Sequence, residues 1–183
     1  HVLGQHDLVG HRLDSIKDTA IGALSRDVSN FILLEPGISR HINKNWLLCG
    51  FPYGAEETRA WLAGEYTGQV AEGLLEKIQI AVVHASVSEF PGPDAEFSLK
   101  DITPTLGWDF GIFGDIHSGF DFYKTYNGCL CVNPGSLVRR TVKDVDRLPS
   151  MVLIQEGRDI FDDLGFEEVP YRECGTTKLY YSL

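Results

Sequence analysis

Gly114-Asp115-Ile116-His117 sets a carboxylate and an imidazole two residues apart, directly after the apolar run Phe110 to Phe113. The run reads as a short buried strand, so the pair arrives at a strand's carboxyl end. If the backbone stays extended past Gly114, side chains two apart point the same way, and both would face one pocket. Oxygen and nitrogen donors together suit a divalent ion such as manganese, zinc or iron. Taken alone the pair has a plainer reading, with Asp115 capping a turn and His117 half-buried in a loop. Two other places carry comparable groups. Ile78 to His84 is β-branched, almost uncharged, and ends in a histidine. Gly4-Gln5-His6-Asp7 follows His1 to Leu3, which reads as the tail of a strand, and a polar loop at a strand end is where functional groups gather in open α/β sheets.

These groups need elements to position them. From Leu13 to Leu24 apolar residues recur at three- and four-residue spacing, which predicts a helix ended by Asp27 to Asn30. Phe31 to Leu34 and Trp46 to Cys49 read as short strands, after which Gly50 to Gly54 leaves the sheet. Glu56 to Leu62 and Gln69 to Lys77 have helical spacing. Ser88 to Glu96 is a loop, and Leu99 to Leu106 a short helix interrupted near Pro104. Phe120 to Tyr126 and Cys129 to Val132 flank Asn127-Gly128, the signal for a type I′ hairpin. Met151 to Gln155 is a further strand, and Phe166 to Tyr171 an edge segment marked by Pro170. Strands mixed with helical segments predict an α/β fold, a layered sandwich of mixed sheets flanked by helices. Three strand ends carrying ligand-capable groups would then meet at one sheet edge.

The chain has 183 residues, 43% of them hydrophobic, enough for one sizeable core. Its formal net charge of −10 argues against a broad basic surface for nucleic acid, so a polyanionic substrate must be held at a few positions, with metal ions as local counter-charge. The four cysteines, Cys49, Cys129, Cys131 and Cys174, show no Cys-x-x-Cys spacing. They read as free thiols in a reducing, cytoplasmic compartment. No apolar run approaches a membrane span, and no secretory signal is visible.

Together the motifs resemble the calcineurin-like metallophosphoesterases, and most closely the branch of SbcD-type DNA-repair exonucleases and their bacteriophage relatives. That family shows, in order, Gly-Asn-His-Asp/Glu, a strand ending in His, and Gly-His-x-His. Here these would be Gly4-Gln5-His6-Asp7, His84, and Gly114-Asp115-Ile116-His117. The exonuclease branch also carries Asn-Pro-Gly-Ser-Leu-Val-Arg after a hairpin, matched by Asn133 to Arg139, and then a strand like Met151 to Gln155. The resemblance implies that residues 1–155 are the carboxyl-terminal portion of a metallophosphoesterase domain and 156–183 an extension of it. It implies that Gln5, His84 and Asp115 serve a second metal, that His117 reaches a first, and that His6 contacts the scissile phosphate and assists the leaving oxygen. Two divalent ions are implied for the complete site, manganese foremost, with iron, zinc or magnesium as alternatives. Gln for Asn and Asp for His both present an oxygen donor, which either preserves binding with a preference for harder ions or marks a weakened site. The family's opening Asp-x-His and Gly-Asp-x-x-Asp motifs do not occur upstream of Gly4. The expectation is therefore that they lie on a separate or preceding amino-terminal part.

The function so implied is two-metal hydrolysis of a nucleic-acid phosphodiester, in a DNA exonuclease or endonuclease working with an SMC-like ATPase. Two alternatives stand beside it: a catalytically inactive domain of the same type used for assembly or binding, and a phosphoesterase of small nucleotides or phosphoproteins. Arg139 and Arg140 suit phosphate, and suit surface ion pairs with Asp144 or Asp146 equally well. His11 and His41 read as surface histidines.

Overall fold

Alternation along Ile78–His84 sends Ile78 and Ile80 to one side of a sheet and Ala81 and Val83 to the other, and both sides find apolar partners. This is a computed structural model that describes residues 1–67, 77–89, 95–104, 107–136, 150–154 and 176–180. In chain order the strands are β1 (Ser39–His41), β2 (Trp46–Phe51), β3 (Ile78–His84), β4 (Val87–Ser88), β5 (Phe97–Ser98), β6 (Phe110–Gly114), β7 (Phe120–Lys124), β8 (Leu130–Asn133), β9 (Ser150–Ile154) and β10 (Thr176–Tyr180). Two α-helices, α1 (Ala20–Asp27) and α2 (Glu56–Ala63), accompany short 3-10 turns.

The fold is mixed α/β. Six strands form one sheet in the order β1-β2-β3-β6-β8-β7, while β4 pairs with β5 and β9 with β10 in separate two-stranded ribbons. Within the large sheet, β2, β3, β6 and β8 run parallel, and the edge strands β1 and β7 pair antiparallel. All four parallel strands therefore end at the same edge, at Phe51, His84, Gly114 and Asn133. That edge is where an α/β sheet presents a binding crevice.

An aromatic cluster covers one face. Phe51, Trp61, Trp108 and Phe113 lie with ring centroids 5.4 to 5.9 Å apart, α2 supplying Trp61 from above. Trp61 and Phe51 are fully buried, and rings of this size dominate the burial energy of a small core. Cys129 and Cys131 are buried free thiols within it, 4.0 Å apart, and Cys49 packs there too. Helix α2 stops at Gly64, whose left-handed φ of 74° closes the last turn against Thr103 O. Among the described residues, no helix is long and apolar enough to cross a membrane.

Several expected elements differ. The helix foreseen from Leu13 to Leu24 is a 3-10 segment, Leu13–Asp18, followed by α1, because the Thr19 hydroxyl donates to Ile16 O and accepts from Gly22 N. A capping side chain there starts a new helix instead of continuing the old one. His1 to Leu3 and Phe31 to Leu34 form no strand; they are joined by two backbone hydrogen bonds, His1 N to Ile32 O and Leu34 N to His1 O, and by the rings of His1 and Phe31 at 5.7 Å. Strand β2 runs on through Gly50 and Phe51, since Gly50 lets Leu34 cross directly against it. The hairpin is not type I′. Gly128 alone has positive φ in its loop, at 88°, and its N–H donates to Thr125 O, giving a three-residue loop with a glycine bulge. Of the helix expected from Leu99 to Leu106, the described residues, 99–104, show a 3-10 turn at Leu99–Asp101. The polar edge strand β1 and the strand β10 were not foreseen. The helix expected over Gln69 to Lys77, its last residue apart, and the segment Phe166 to Tyr171 lie outside the described residues.

Asp109 ties the start of β6 to β3: its Oδ2 accepts from Gln79 N at 2.6 Å and its own N–H donates to Gln79 O at 3.0 Å. Burial pushes its carboxyl above the ordinary value, with the Gln79 hydrogen bond opposing. A raised folded-state value means that the native state holds the proton more tightly, so stability declines as pH rises through that window. Asp109→Asn keeps the acceptor and drops the charge. It should stabilise the fold at pH 7 by a few tenths to about 1 kcal/mol, discounted for partial exposure, and the gain should vanish near pH 3 in urea titrations. A loss of stability at pH 7 would show that the charged hydrogen bond outweighs burial.

Candidate functional site

The amino-terminal residues reach the sheet's carboxyl edge through one backbone hydrogen bond, Tyr53 N to Leu3 O at 2.8 Å, just past the end of β2. This seats Gly4 on the imidazole of His84. A Cβ at Gly4 would lie 2.6 Å from both Cε1 and Nε2 of His84, and one at Gly114 would lie 3.4 Å from Nδ1. The ring thus packs on Gly4, where a Cβ would overlap it, and lies within van der Waals reach of Gly114.

Gln5–Asp7 forms one 3-10 turn closed by its own carboxylate. Asp7 Oδ2 accepts from Gly4 N at 2.9 Å and lies 3.1 Å from His1 Nε2, so Asp7 shapes the turn. Gln5 then reaches across 110 residues of sequence to donate from Nε2 to Asp115 Oδ1 at 3.1 Å. A carboxylate requires a donor, which fixes the orientation of the amide. Its oxygen, Oε1, is left buried with no hydrogen-bond partner among the described residues.

Asp115 has φ of +90°, in the region that L residues rarely adopt and that Asp tolerates better than most. The strand ends at Gly114, and this turn of backbone aims the carboxylate at His84, whose Nε2 lies 3.5 Å from Oδ1. The Asp115 carboxyl is held below the ordinary range, first by the His84 imidazole, against the cost of burial, with Gln5 and the Ser86 hydroxyl adding to the effect. The 3.5 Å separation is long for a tight hydrogen bond.

Positive φ at Asp115 also removes the extended geometry on which a shared pocket for Asp115 and His117 depended. His117 stands in the following turn, where its carbonyl accepts from Ser136 N at 3.1 Å, and among the described residues its ring has no hydrogen bond or ion pair. That turn is locked by Asn133, which is 1% exposed. Its Nδ2 donates to Ile116 O at 3.0 Å and its Oδ1 accepts from Gly135 N at 2.8 Å. The Asn-Pro-Gly-Ser segment therefore serves as the clasp of the loop that carries Asp115 and His117.

His6 is exposed and its ring meets His11 edge-on at 6.1 Å, with His11 in turn edge-on to Tyr53 at 6.3 Å. Arg139 and Arg140 lie outside the described residues. Ser86, Asn133 and Tyr53 were missed by sequence reasoning. Tyr53 lies two residues past the end of β2, close to the position that His84 holds at the end of β3, and that was its signal; Ser86 had none.

No protein-family model matches the chain, and no curated protein matches it. The site therefore rests on its own chemistry. Among the described residues no three His, Cys, Asp or Glu side chains gather at an ion's distance. What does gather is one imidazole, one carboxylate and one amide, and the unpartnered Gln5 Oε1 is an acceptor that a cation would satisfy. This donor set suits one hard divalent ion and does not by itself make a two-ion site.

Gly4→Ala should push the His84 ring aside and cost about 1–3 kcal/mol of stability in denaturant unfolding. Unaltered stability together with unaltered His84 ring resonances would refute the close seat. Asp115 has a depressed value, so its contribution is present above the ordinary carboxylate range and is lost as pH falls below it. The acid limb of the stability profile should accordingly be shallower in Asp115→Asn, and an identical limb in both proteins would contradict the ion pair.

Proposed function

We propose that this chain is the metal- and phosphate-binding portion of a metallophosphoesterase-type sandwich acting on nucleic-acid phosphodiesters. The single observation that carries the reading is the meeting of Gln5, His84 and Asp115, from three separated segments, at the carboxyl edge of the parallel strands. It is supported by the order of the motifs in the resemblance to SbcD-type exonucleases.

Gln5 through Oε1, His84 through an imidazole nitrogen and Asp115 through its carboxylate would hold one divalent ion, manganese by preference. Bound there, the ion supplies a Lewis acid for a phosphoryl oxygen. His84 must be neutral to ligate, and its contact with Asp115 fixes the ring for that role. His6, exposed beside this edge, donates a hydrogen bond to the oxygen leaving phosphorus. Its neighbour His11 keeps the ring from turning away. A second ion would need carboxylates beyond Asp115, and His117 would belong with that ion. DNA is the substrate and an SMC-like ATPase the partner on this reading.

One observation favours a second reading, a binding or assembly domain without hydrolysis: among the described residues no three His, Cys, Asp or Glu side chains gather at an ion's distance.

The two separate on manganese and DNA. Titration calorimetry should find one manganese ion per chain, weakened about 10- to 100-fold in Gln5→Ala and in Asp115→Asn. Manganese-dependent cutting of linear duplex DNA by the complete two-ion site, lost in His84→Ala, then distinguishes the enzyme. Tight manganese binding with DNA left intact by that complete site selects the assembly domain. Absence of manganese binding removes the metal site altogether.

A further inference from the structure

The large sheet ends on one side at β1, and among the described residues no strand lies beyond it. Asn43 builds this edge: its Oδ1 accepts from Asn45 N and Trp46 N, closing a turn in which Ile42 N donates to Trp46 O at 3.1 Å. That bond fixes the parity of the ladder. In an antiparallel pair alternate residues turn their N–H and C=O toward the partner, so Arg40, in register with Leu48, faces β2 with both groups as Ile42 does. Ser39 and His41 turn theirs outward. The edge therefore presents two N–H donors and two carbonyl acceptors at the spacing a further strand needs.

The two faces of this edge differ. The Ser39 hydroxyl meets the Cys49 thiol on the side of the aromatic core, which places Ile38, Arg40 and Ile42 on the opposite side, with Trp46 and Leu48. Ile38 and Ile42 are 44% and 60% exposed with Arg40 between them, so the line reads apolar, cation, apolar. Arg40 has Glu35 at 3.5 Å, and both side chains of that pair are more than half exposed, at 51% and 54%, so the pair is open to exchange. Lys44 lies in the adjoining turn, and Lys77 Nζ stands 3.3 Å from His41 Nδ1. Arg40, Lys44 and Lys77 thus gather at one corner of a chain whose net charge is −10. A second copy docked through the same edge would set this basic corner on itself, and like charges opposed across strands repel.

We propose that β1 is a docking edge for an extended peptide of a partner protein, lying antiparallel, in which an acidic residue faces Arg40 and apolar residues two positions to either side face Ile38 and Ile42. The proposal is independent of the phosphodiesterase reading, since β2 separates β1 from β3 and its His84. The two peptide residues that flank the acidic one exchange backbone hydrogen bonds with Ser39 and His41, as in strand addition to an open sheet edge. The acidic residue then sits opposite Arg40 in a pair without mutual backbone bonds, the closer of the two antiparallel spacings. Affinity comes from the backbone, and choice of partner from the three side chains.

The probe is a seven-residue peptide, blocked at both ends, with glutamate at its centre, valine two places to either side and threonine elsewhere. Added to the whole chain and followed by amide hydrogen exchange, it should bind with a dissociation constant below about 1 mM. Exchange should slow at Ser39 and His41 and stay as it was at Arg40 and Ile42, which already face β2. A peptide with lysine in place of the glutamate should bind about tenfold more weakly, and Arg40→Glu should reverse that order. Methylating the backbone nitrogens of the two threonines beside the glutamate keeps the charge and should weaken binding at least about tenfold. The two altered peptides test the edge on the unaltered chain, whatever Arg40→Glu does to the fold. Absence of binding, an unreversed order in a folded Arg40→Glu, or slowed exchange at β7 in place of β1 would each overturn the proposal. Equal binding of the methylated peptide would also overturn it, leaving charge attraction without strand addition.

Discussion

A carboxylate drawn partly out of water at the end of a strand must be met by donors or remain protonated, and Asp115 is met by His84, Gln5 and Ser86. Hydrogen bonds to a charged group contribute about 1.5–3 kcal/mol each, enough to offset the roughly 1–3 kcal/mol of strain in a non-glycine residue at positive φ. The same contacts do structural duty. Gln5 anchors the amino-terminal turn, His84 and Ser86 fix the end of β3 and the residues after it, and the Asn133 clasp holds the loop from below. Remove the charge and three separated segments lose their common point.

This point exists because four neighbouring strands run parallel. A parallel ladder aligns carboxyl ends, and it stands only where its faces are covered. Trp61 on α2 and the rings of Phe51, Trp108 and Phe113 supply that cover on one face. Helix α2 is seated on these rings, with Thr58 buried and donating to Pro52 O just past the end of β2 at 2.7 Å and Arg59 exposed beside it. A cleft beside His84 separates this helix from the short parallel ribbon of β4 and β5.

What was legible in the sequence follows from how local each signal is. Strand β3 was legible over its full length, since seven residues with one polar member before the terminal histidine admit no other periodicity. Helix α2 and strands β6 and β8 were nearly so. The long helix after Leu13 was not, because spacing is blind to a threonine hydroxyl that competes with the backbone at Thr19. Strand β1 is Ser39, Arg40 and His41, an edge whose polar residues read as a turn. For the site, His84 and Asp115 were visible as strand-end groups and Gln5 through the order of motifs. The shared face for Asp115 and His117 failed on one dihedral angle, which no spacing rule contains. Ser86 and Asn133 act through a hydroxyl and an amide at positions where such residues are usually incidental.

Side-chain length at position 5 matters as much as charge at position 115. Gln5 donates to Asp115 with Nε2 while its Oε1 stays buried and unpartnered, so one amide both neutralises a carboxylate oxygen and offers an acceptor. An orphaned buried acceptor costs about 1–3 kcal/mol, and a fold keeps one where something else satisfies it. Asn at that position would be one methylene shorter, and a side chain long enough to reach Asp115 from the turn is what lets the amide serve both purposes. An imidazole in place of the Asp115 carboxylate would have no need of that donor, and a β-branched residue would not accept the φ of 90°. Gln5 and Asp115 are therefore a matched pair: the length of one and the charge of the other make sense only together, and the acceptor they leave open is the feature that distinguishes this edge from a satisfied surface network.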